Sequence, residues 1–141
     1  MTARRITIHT QRAYDFYFVG GQTQYVELIR YVDATAFVSG QLVVRLHEKG
    51  ASWPDGSALV VEAHNVSPAP DEPATLFVDS GRVVASVTIA KTDAAPDVFI
   101  SSFDGTGAIG PYLRLRMRTS LSEGVGQVDC TLGIELIGRD A

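Results

Sequence analysis

The sequence predicts an all-β protein, folded as a two-sheet antiparallel β-sandwich of jelly-roll type with about nine or ten strands. Short segments that alternate apolar and polar side chains recur along the 141 residues, and clusters of Gly, Pro, Asp and Ser separate them. No segment has the apolar spacing and caps of a long helix, and no block repeats at a fixed interval. The whole chain, 1–141, is therefore interpreted as a single β-sandwich domain.

The first half of the chain contains four predicted strands, which are 5–9, 14–19, 23–32 and 41–49. In the second of them Tyr14, Phe16 and Phe18 form one aromatic face, because alternate residues of a strand share a side. The third is apolar on both faces, as expected for a strand covered on both sides. The loop 50–57 contains Pro-Asp-Gly, a turn signal that predicts a hairpin between the fourth strand and the next.

The second half adds the predicted strands 58–65, 76–78, 82–90, 98–103, 112–118 and 128–136. Three prolines between 67 and 73 predict an exposed loop, because proline cannot donate to a strand ladder. The segment 104–111 is rich in Gly but has no Lys, so it is interpreted as a long loop and not as a phosphate-binding loop.

The strictest alternation lies in the last third of the chain. Segment 112–118 has an apolar face and a basic face, the latter made of Arg114, Arg116 and Arg118. If it pairs as a hairpin with 128–136, the apolar faces of both segments share one core. The same register brings Arg118 beside Asp129, so acids across the hairpin are expected to neutralise the basic row.

Charge and composition exclude several partners. The formal net charge is −4, and only Lys49 and Lys91 supply ammonium groups, which argues against nucleic-acid binding through a clustered basic face. No run approaches the ~20 apolar residues of a membrane span, and the polar alternation that follows Met1 predicts no secretory leader. We therefore expect cytoplasmic synthesis, with no membrane partner.

No motif predicts catalysis or a cofactor. His9, His47 and His64 fall on separate predicted strands without zinc-site spacing, so surface or edge positions are expected for them. The lone Cys130 has the parity of an inward residue and is interpreted as a small core side chain, not as a nucleophile. The chain also lacks a G-x-S-x-G elbow. The sequence thus predicts a protein that is not an enzyme, with no catalytic residue, no cofactor and no metal.

The apolar strand surface exceeds what one small sandwich can bury, which predicts a subunit of an assembly. Aromatic side chains fall opposite the inward positions of their strands, and Trp53 in its loop either caps its own core or docks on a neighbour. The arginine row is either satisfied within the chain or reaches an acidic partner. The predicted interface residues are Tyr17, Trp53, Phe77, Phe99, Arg114, Arg116 and Arg118. The expected partners are copies of the chain or the shell protein of a particle.

A second function remains open from the residues alone. As a monomeric carbohydrate-binding module, the chain would stack Trp53 on a sugar ring and use loop acids for polar contacts. Only Ser52 and Asp55 stand near Trp53 in the sequence, fewer polar groups than a sugar site usually needs. The assembly subunit is therefore the preferred interpretation.

Residues 110–140 resemble the terminal hairpin of small β-sandwich structural proteins in tailed-phage-like particles, including gene-transfer agents and domesticated prophages. The resemblance rests on GPYLRLRMRT at 110–119, a turn through Gly124 and Gly126, and TLGIELIGRD at 131–140. It implies incorporation in a virion-like particle as a head-decoration, fibre or adaptor subunit, and it implies no catalytic residues.

Overall fold

The computed structural model describes residues 3–34, 36–66, 82–104 and 112–140. These residues form eight strands. The strands are β1 (Ala3–Val19), β2 (Gln22–Asp33), β3 (Phe37–Lys49), β4 (Ala58–Val66), β5 (Arg82–Ala90), β6 (Asp97–Asp104), β7 (Tyr112–Leu121) and β8 (Val125–Asp140). In the described part of the chain, no helix is long and apolar enough to cross a membrane.

The strands form two four-stranded antiparallel sheets, ordered β1-β8-β3-β6 and β2-β7-β4-β5. Among the described strands, only β4 and β5 follow one another within one sheet; each other pair of successive described strands lies in different sheets. This alternation is the strand order of a jelly roll, in which paired strands wind together around the sandwich. The predicted fold class is confirmed. The segment 76–78, predicted as a strand, lies outside the described residues.

Two predicted hairpins are wrong, because their strands lie in different sheets. β7 lies between β2 and β4, whereas β8 lies between β1 and β3, and β3 and β4 are likewise separated. Arg118 accordingly pairs with Tyr25 and Val60, not with Asp129. The apolar faces of β7 and β8 do share one core, but they meet across the sandwich. Packing face to face buries the same side chains as a hairpin would, so an alternating pattern does not identify the partner strand.

The core lies between the two sheets and is rich in aromatic and branched side chains. Tyr14, Phe16 and Phe18 point inward from β1 as predicted, with Phe18 fully buried. Inward side chains of β8, in the same sheet, lie beside them, and those of β7 face them from the other sheet; Leu132 and Leu115 are examples, both at 0% exposure. Each such buried side chain contributes about 1.5–3 kcal/mol relative to exposure, so the pattern of alternation accounts for the cohesion of the sandwich.

The apparent two-sided pattern of β2 has a different cause from the one predicted. The register of β2 against β7 shifts between Glu27 and Ile29. The shift changes which residues face the core, so Val26 and Ile29 both pack against it although strict alternation would place them on opposite faces. Tyr25, in contrast, is 46% exposed on the outer face.

Gly40 and Gly138 are register partners in β3 and β8, and the rings of Phe103 and Phe37 occupy the space where their Cβ atoms would lie. We expect Gly40→Ala to reduce the free energy of unfolding by about 1–3 kcal/mol, because the added methyl displaces a buried ring. Urea denaturation measures the change. Ser102→Ala, at an exposed position of the adjacent β6, should stay within about 0.5 kcal/mol of the parent. Equal stability of the two variants would contradict this prediction.

Candidate functional site

The basic row predicted on the last strands lies on the outer face of the sheet β2-β7-β4-β5. Arg114, Arg116 and Arg118 alternate along β7 with residues that point into the core. In β4, the residues opposite the first two are His64 and Glu62. The alternation of β4 therefore places an imidazole and a carboxylate beside three guanidiniums. Sequence reasoning found the row but assigned its acidic partner to the wrong strand.

The Oε1 atom of Glu62 is the centre of this cluster. It lies 2.7 Å from Arg116 Nε, 3.2 Å from Arg118 Nε and 3.3 Å from His64 Nε2. Glu62 and His64 are each 3% exposed, so His64 is not the surface or edge histidine that the sequence predicts. The cluster ties β4 to β7 by charge as well as by their backbone ladder.

Most of the arginine row is buried. Arg114 and Arg116 are 1% and 8% exposed, whereas the side chain of Arg118 keeps 38% of its surface. Arg114 also lies 3.5 Å from Glu27, and the Tyr25 ring covers Arg116 at 4.8 Å from its centroid. The row was expected either to be neutralised within the chain or to reach an acidic partner, and the structure shows pairing within the chain. Arg114 and Arg116, although predicted as interface residues, thus offer almost no surface to a partner in this structure.

The electrostatics of Glu62 do not suit acid catalysis. Burial by itself would raise the pKa of Glu62, but hydrogen bonds from His64 and Arg116 and the charges of Arg116 and Arg118 outweigh it and lower the pKa to about 2. The carboxylate stays ionised at neutral pH, so it carries no proton to donate, and its basicity is weak. The arrangement is suited to holding two strands together.

Trp53 is buried beneath its own loop. Its ring is 1% exposed, its Nε1 donates a hydrogen bond to the carbonyl oxygen of Asp129 at 2.9 Å, and Lys49 Nζ lies 4.5 Å from the ring centroid. Trp53 thus caps its own core, which is one of the two roles predicted for it, and does not present its ring to a neighbouring subunit. The carbohydrate-binding alternative loses the aromatic platform on which it depended.

An exposed apolar patch lies at the outer face of β1 and β8. Tyr17, Val19 and Val125 are 63%, 60% and 60% exposed, and Val19 and Val125 are directly opposite each other in the ladder. We call these three residues the β1–β8 patch. Tyr17 and Val19 point outward as their alternation predicted. Val125 was missed because it lies in a stretch interpreted as a turn, and its apolar type next to two glycines was the available signal.

A second exposed patch lies on β6. Its residues are the neighbours of Phe99, the side chain that was predicted to point outward. Phe99 is half-buried and packs against the core, whereas Val98 and Ile100 are 45% and 57% exposed. We call these two exposed residues the β6 patch. Three consecutive apolar residues give no alternation, so the sequence did not determine which side faces inward. Phe77 lies outside the described residues.

The described residues form neither a reactive thiol site nor a metal site. Cys130 is buried, and burial together with the charge of Asp129 raises the pKa of its thiol to about 12. A thiol in that state is a core side chain and a poor nucleophile. Among the residues that the structure describes, no three His, Cys, Asp or Glu side chains lie close enough to hold a metal ion.

Comparisons with known proteins show likeness only at the level of structure. No protein-family model and no curated protein sequence matches the chain. The fold is similar to that of the VP2 subviral particle of infectious bursal disease virus, with a TM-score of 0.58 and 14% identity over 99% of this chain and 33% of that one. It is also similar to the Gx strain structure of the same virus, with a TM-score of 0.55 and 16% identity over 99% of this chain and 32% of the other.

A mutant VP2 protein of that virus, in particles derived from it, has a TM-score of 0.51 and 15% identity over 99% of this chain and 32% of that one. This chain spans about a third of the length of these three viral structures. At such identities the likeness concerns the fold. These neighbours are viral particle proteins, as the sequence resemblance implies in general, but they are not proteins of tailed phages.

Proposed function

We propose that this chain is a non-enzymatic structural subunit that assembles with copies of itself in a virion-like particle. The main support for the proposal is the β1–β8 patch, where Tyr17, Val19 and Val125 expose adjacent apolar side chains on the surface of the sandwich. Contiguous exposed apolar surface of this kind favours contact with another protein. The shared fold with VP2 in subviral particles supports the same role.

The two exposed patches lie at opposite sides of the same sheet. β1 and β6 are its edge strands in the described structure, so the β1–β8 patch and the β6 patch are separated by the width of the sheet. Contact between the β1–β8 patch of one copy and the β6 patch of the next is heterologous, and such contacts form closed rings when the rotation between copies permits. Edge strands also present backbone groups that can extend a sheet across subunits.

A more specific role follows from the resemblance of residues 110–140 to proteins of tailed-phage-like particles. It supports a head-decoration, fibre or adaptor subunit that docks on a shell protein. Three of the predicted interface residues keep exposed surface for such a contact. They are Tyr17, Arg118, whose side chain is 38% exposed, and the half-buried Phe99.

Light scattering after size exclusion is expected to give a mass several times 15.2 kDa. We expect Val19→Glu to reduce the mass to that of a monomer, because a charge in an apolar contact loses its hydration without gaining a partner. Thr88→Glu, exposed on β5 of the other sheet, should leave the assembly intact. Circular dichroism checks that both variants fold. A wild-type monomer, or an assembly unaffected by Val19→Glu, would argue against self-association through this patch.

A further inference from the structure

A bulge in β1 opens a cleft on the outer face of the sheet β1-β8-β3-β6. The register of β1 against β8 shifts twice between Thr7 and Arg12. The bulge lies close over β8 at Gly133, where a Cβ would be 2.5 Å from the carbonyl oxygen of Thr10. That carbonyl also lies 3.2 Å from His47 Nε2, which connects β1 to β3 across β8. A cavity of about 240 Å³ lies beside the bulge, and Gly133 is one of the residues that line it.

Two guanidiniums border this cleft and converge on one carboxylate. Arg5 Nε lies 3.2 Å from Glu135 Oε2, and Arg45 NH2 lies 3.4 Å from Glu135 Oε1. The arginine side chains remain 66% and 50% exposed, whereas that of Glu135 is 14% exposed. Because a guanidinium has five N–H donors, each arginine retains donors beyond those used on Glu135. Two guanidiniums against one carboxylate also leave one net positive charge.

The other polar groups of the cleft are neutral donors and acceptors. His9 lines it and forms a hydrogen bond of 2.7 Å between its Nε2 and the Tyr14 hydroxyl. Burial is the main influence on His9 and lowers the pKa of its imidazole, so the ring is neutral at pH 7. The side chains of Thr7 and Thr10 complete the wall on the β1 side.

We infer that this cleft binds a small carboxylic acid, with Arg5 and Arg45 as its principal donors. The two arginines already hold the carboxylate of Glu135, so their geometry fits that group, and the net charge favours a second one. Gly133 lets the Thr10 carbonyl lie close over β8, and a larger side chain there would displace the bulge that borders the cleft. A volume of 240 Å³ lies below the range of about 300–1,000 Å³ of sites for drug-sized ligands, which favours a single small acid.

Titration of the full chain with sodium acetate, followed by nitrogen-proton NMR, tests this inference against sodium chloride at equal ionic strength. We expect saturable shifts at the amides of Gly133 and Thr10 with a dissociation constant on the order of 1 mM. Arg45→Gln should weaken acetate binding about tenfold, because it removes a charged donor. Arg139→Gln removes an exposed arginine of the same sheet outside the cleft and should leave the affinity unchanged. Shifts that fail to saturate, or that chloride reproduces, would overturn the inference.

Glu135→Gln separates a binding cleft from a purely structural ion pair. The substitution removes the internal competitor for both guanidiniums and increases the net charge of the cleft by one. We expect acetate to bind several-fold more tightly to this variant. If the arginines serve only to pair with Glu135, the variant gains no affinity for acetate, and that result would contradict a carboxylate site.

The carboxylate could instead come from an acidic side chain of a second copy. In that case acetate would dissociate the assembly, and Arg45→Gln would lower its mass in light scattering. Either result would overturn the assignment to a free acid. Acetate binding that leaves the mass unchanged supports it. The inference is independent of self-association, since a monomer with saturable acetate binding would refute the proposed assembly and retain the cleft.

Discussion

Replacing Trp53 by alanine is expected to lower the free energy of unfolding by about 3–5 kcal/mol, among the largest effects of any single change in this chain. The ring is 1% exposed and closes one end of the core, and its Nε1 bonds to the backbone of β8. Alanine leaves a cavity that the surrounding strands cannot fill. It also removes one of the two hydrogen bonds to the Asp129 carbonyl, which still accepts from the backbone N–H of Gly50. Thermal unfolding should shift down by about 10 °C or more. Circular dichroism is the suitable probe because Trp53 is the only tryptophan.

Two matched variants separate the contributions of the ring and its N–H. Trp53→Phe retains an aromatic ring but loses the hydrogen bond, so we expect a loss of about 1–2 kcal/mol. Ser52→Ala changes an exposed neighbour in the same loop and should have little effect. If Trp53→Ala were as stable as Ser52→Ala, the loop would not be held by this side chain.

The second large effect concerns Glu62, whose replacement by glutamine is expected to cost on the order of 3 kcal/mol. The variant preserves size and one acceptor but removes the charge that compensates Arg116, which is 8% exposed, and Arg118. A buried guanidinium without its counter-charge bears its full desolvation cost. Urea denaturation at pH 7 measures the loss.

The same carboxylate predicts a dependence of stability on pH. Its folded pKa of about 2 lies below the reference value of 4.5, so its contribution is complete above about pH 4.5 and is lost as the pH falls toward 2. At about 1.4 kcal/mol per pH unit, the shift corresponds to about 3 kcal/mol. The wild-type protein should therefore lose stability more steeply than Glu62→Gln in this range. Glu123→Gln, at an exposed position, should follow the wild type. Parallel curves for Glu62→Gln and the wild type would contradict the assignment.

Some features of the arginine row could be predicted from the sequence, and others could not. Alternation over 112–118 correctly separated the basic face from the apolar one, and it indicated that acids should lie nearby. It could not identify Glu62 of β4 as the partner, because that residue is more than 50 positions away and joins the row only through the order of strands in the sheet. Burial of Arg116 was likewise hidden, since it depends on Tyr25 from a third strand.

In the exposed patches, too, some side-chain directions could be predicted from the sequence and others could not. Tyr17 belongs to a strand of strict alternation, so its outward direction followed from the residues alone. On β6 the apolar run of Val98, Phe99 and Ile100 has no period, and only packing against the core selected Phe99 as the inward side chain. The direction of a side chain is thus predictable where neighbouring residues differ in polarity.

By itself the sequence determined the all-β class, the two-sheet sandwich and most inward-facing side chains, because alternation with period two and the placement of turn residues are local properties of the chain. Only the tertiary structure decided which strands are neighbours, which acid neutralises Arg116, that Trp53 is buried, and that the bulge of β1 lies over Gly133. These features depend on contacts between residues far apart in the chain, and several pairings of the same amphipathic strands would bury equal apolar surface.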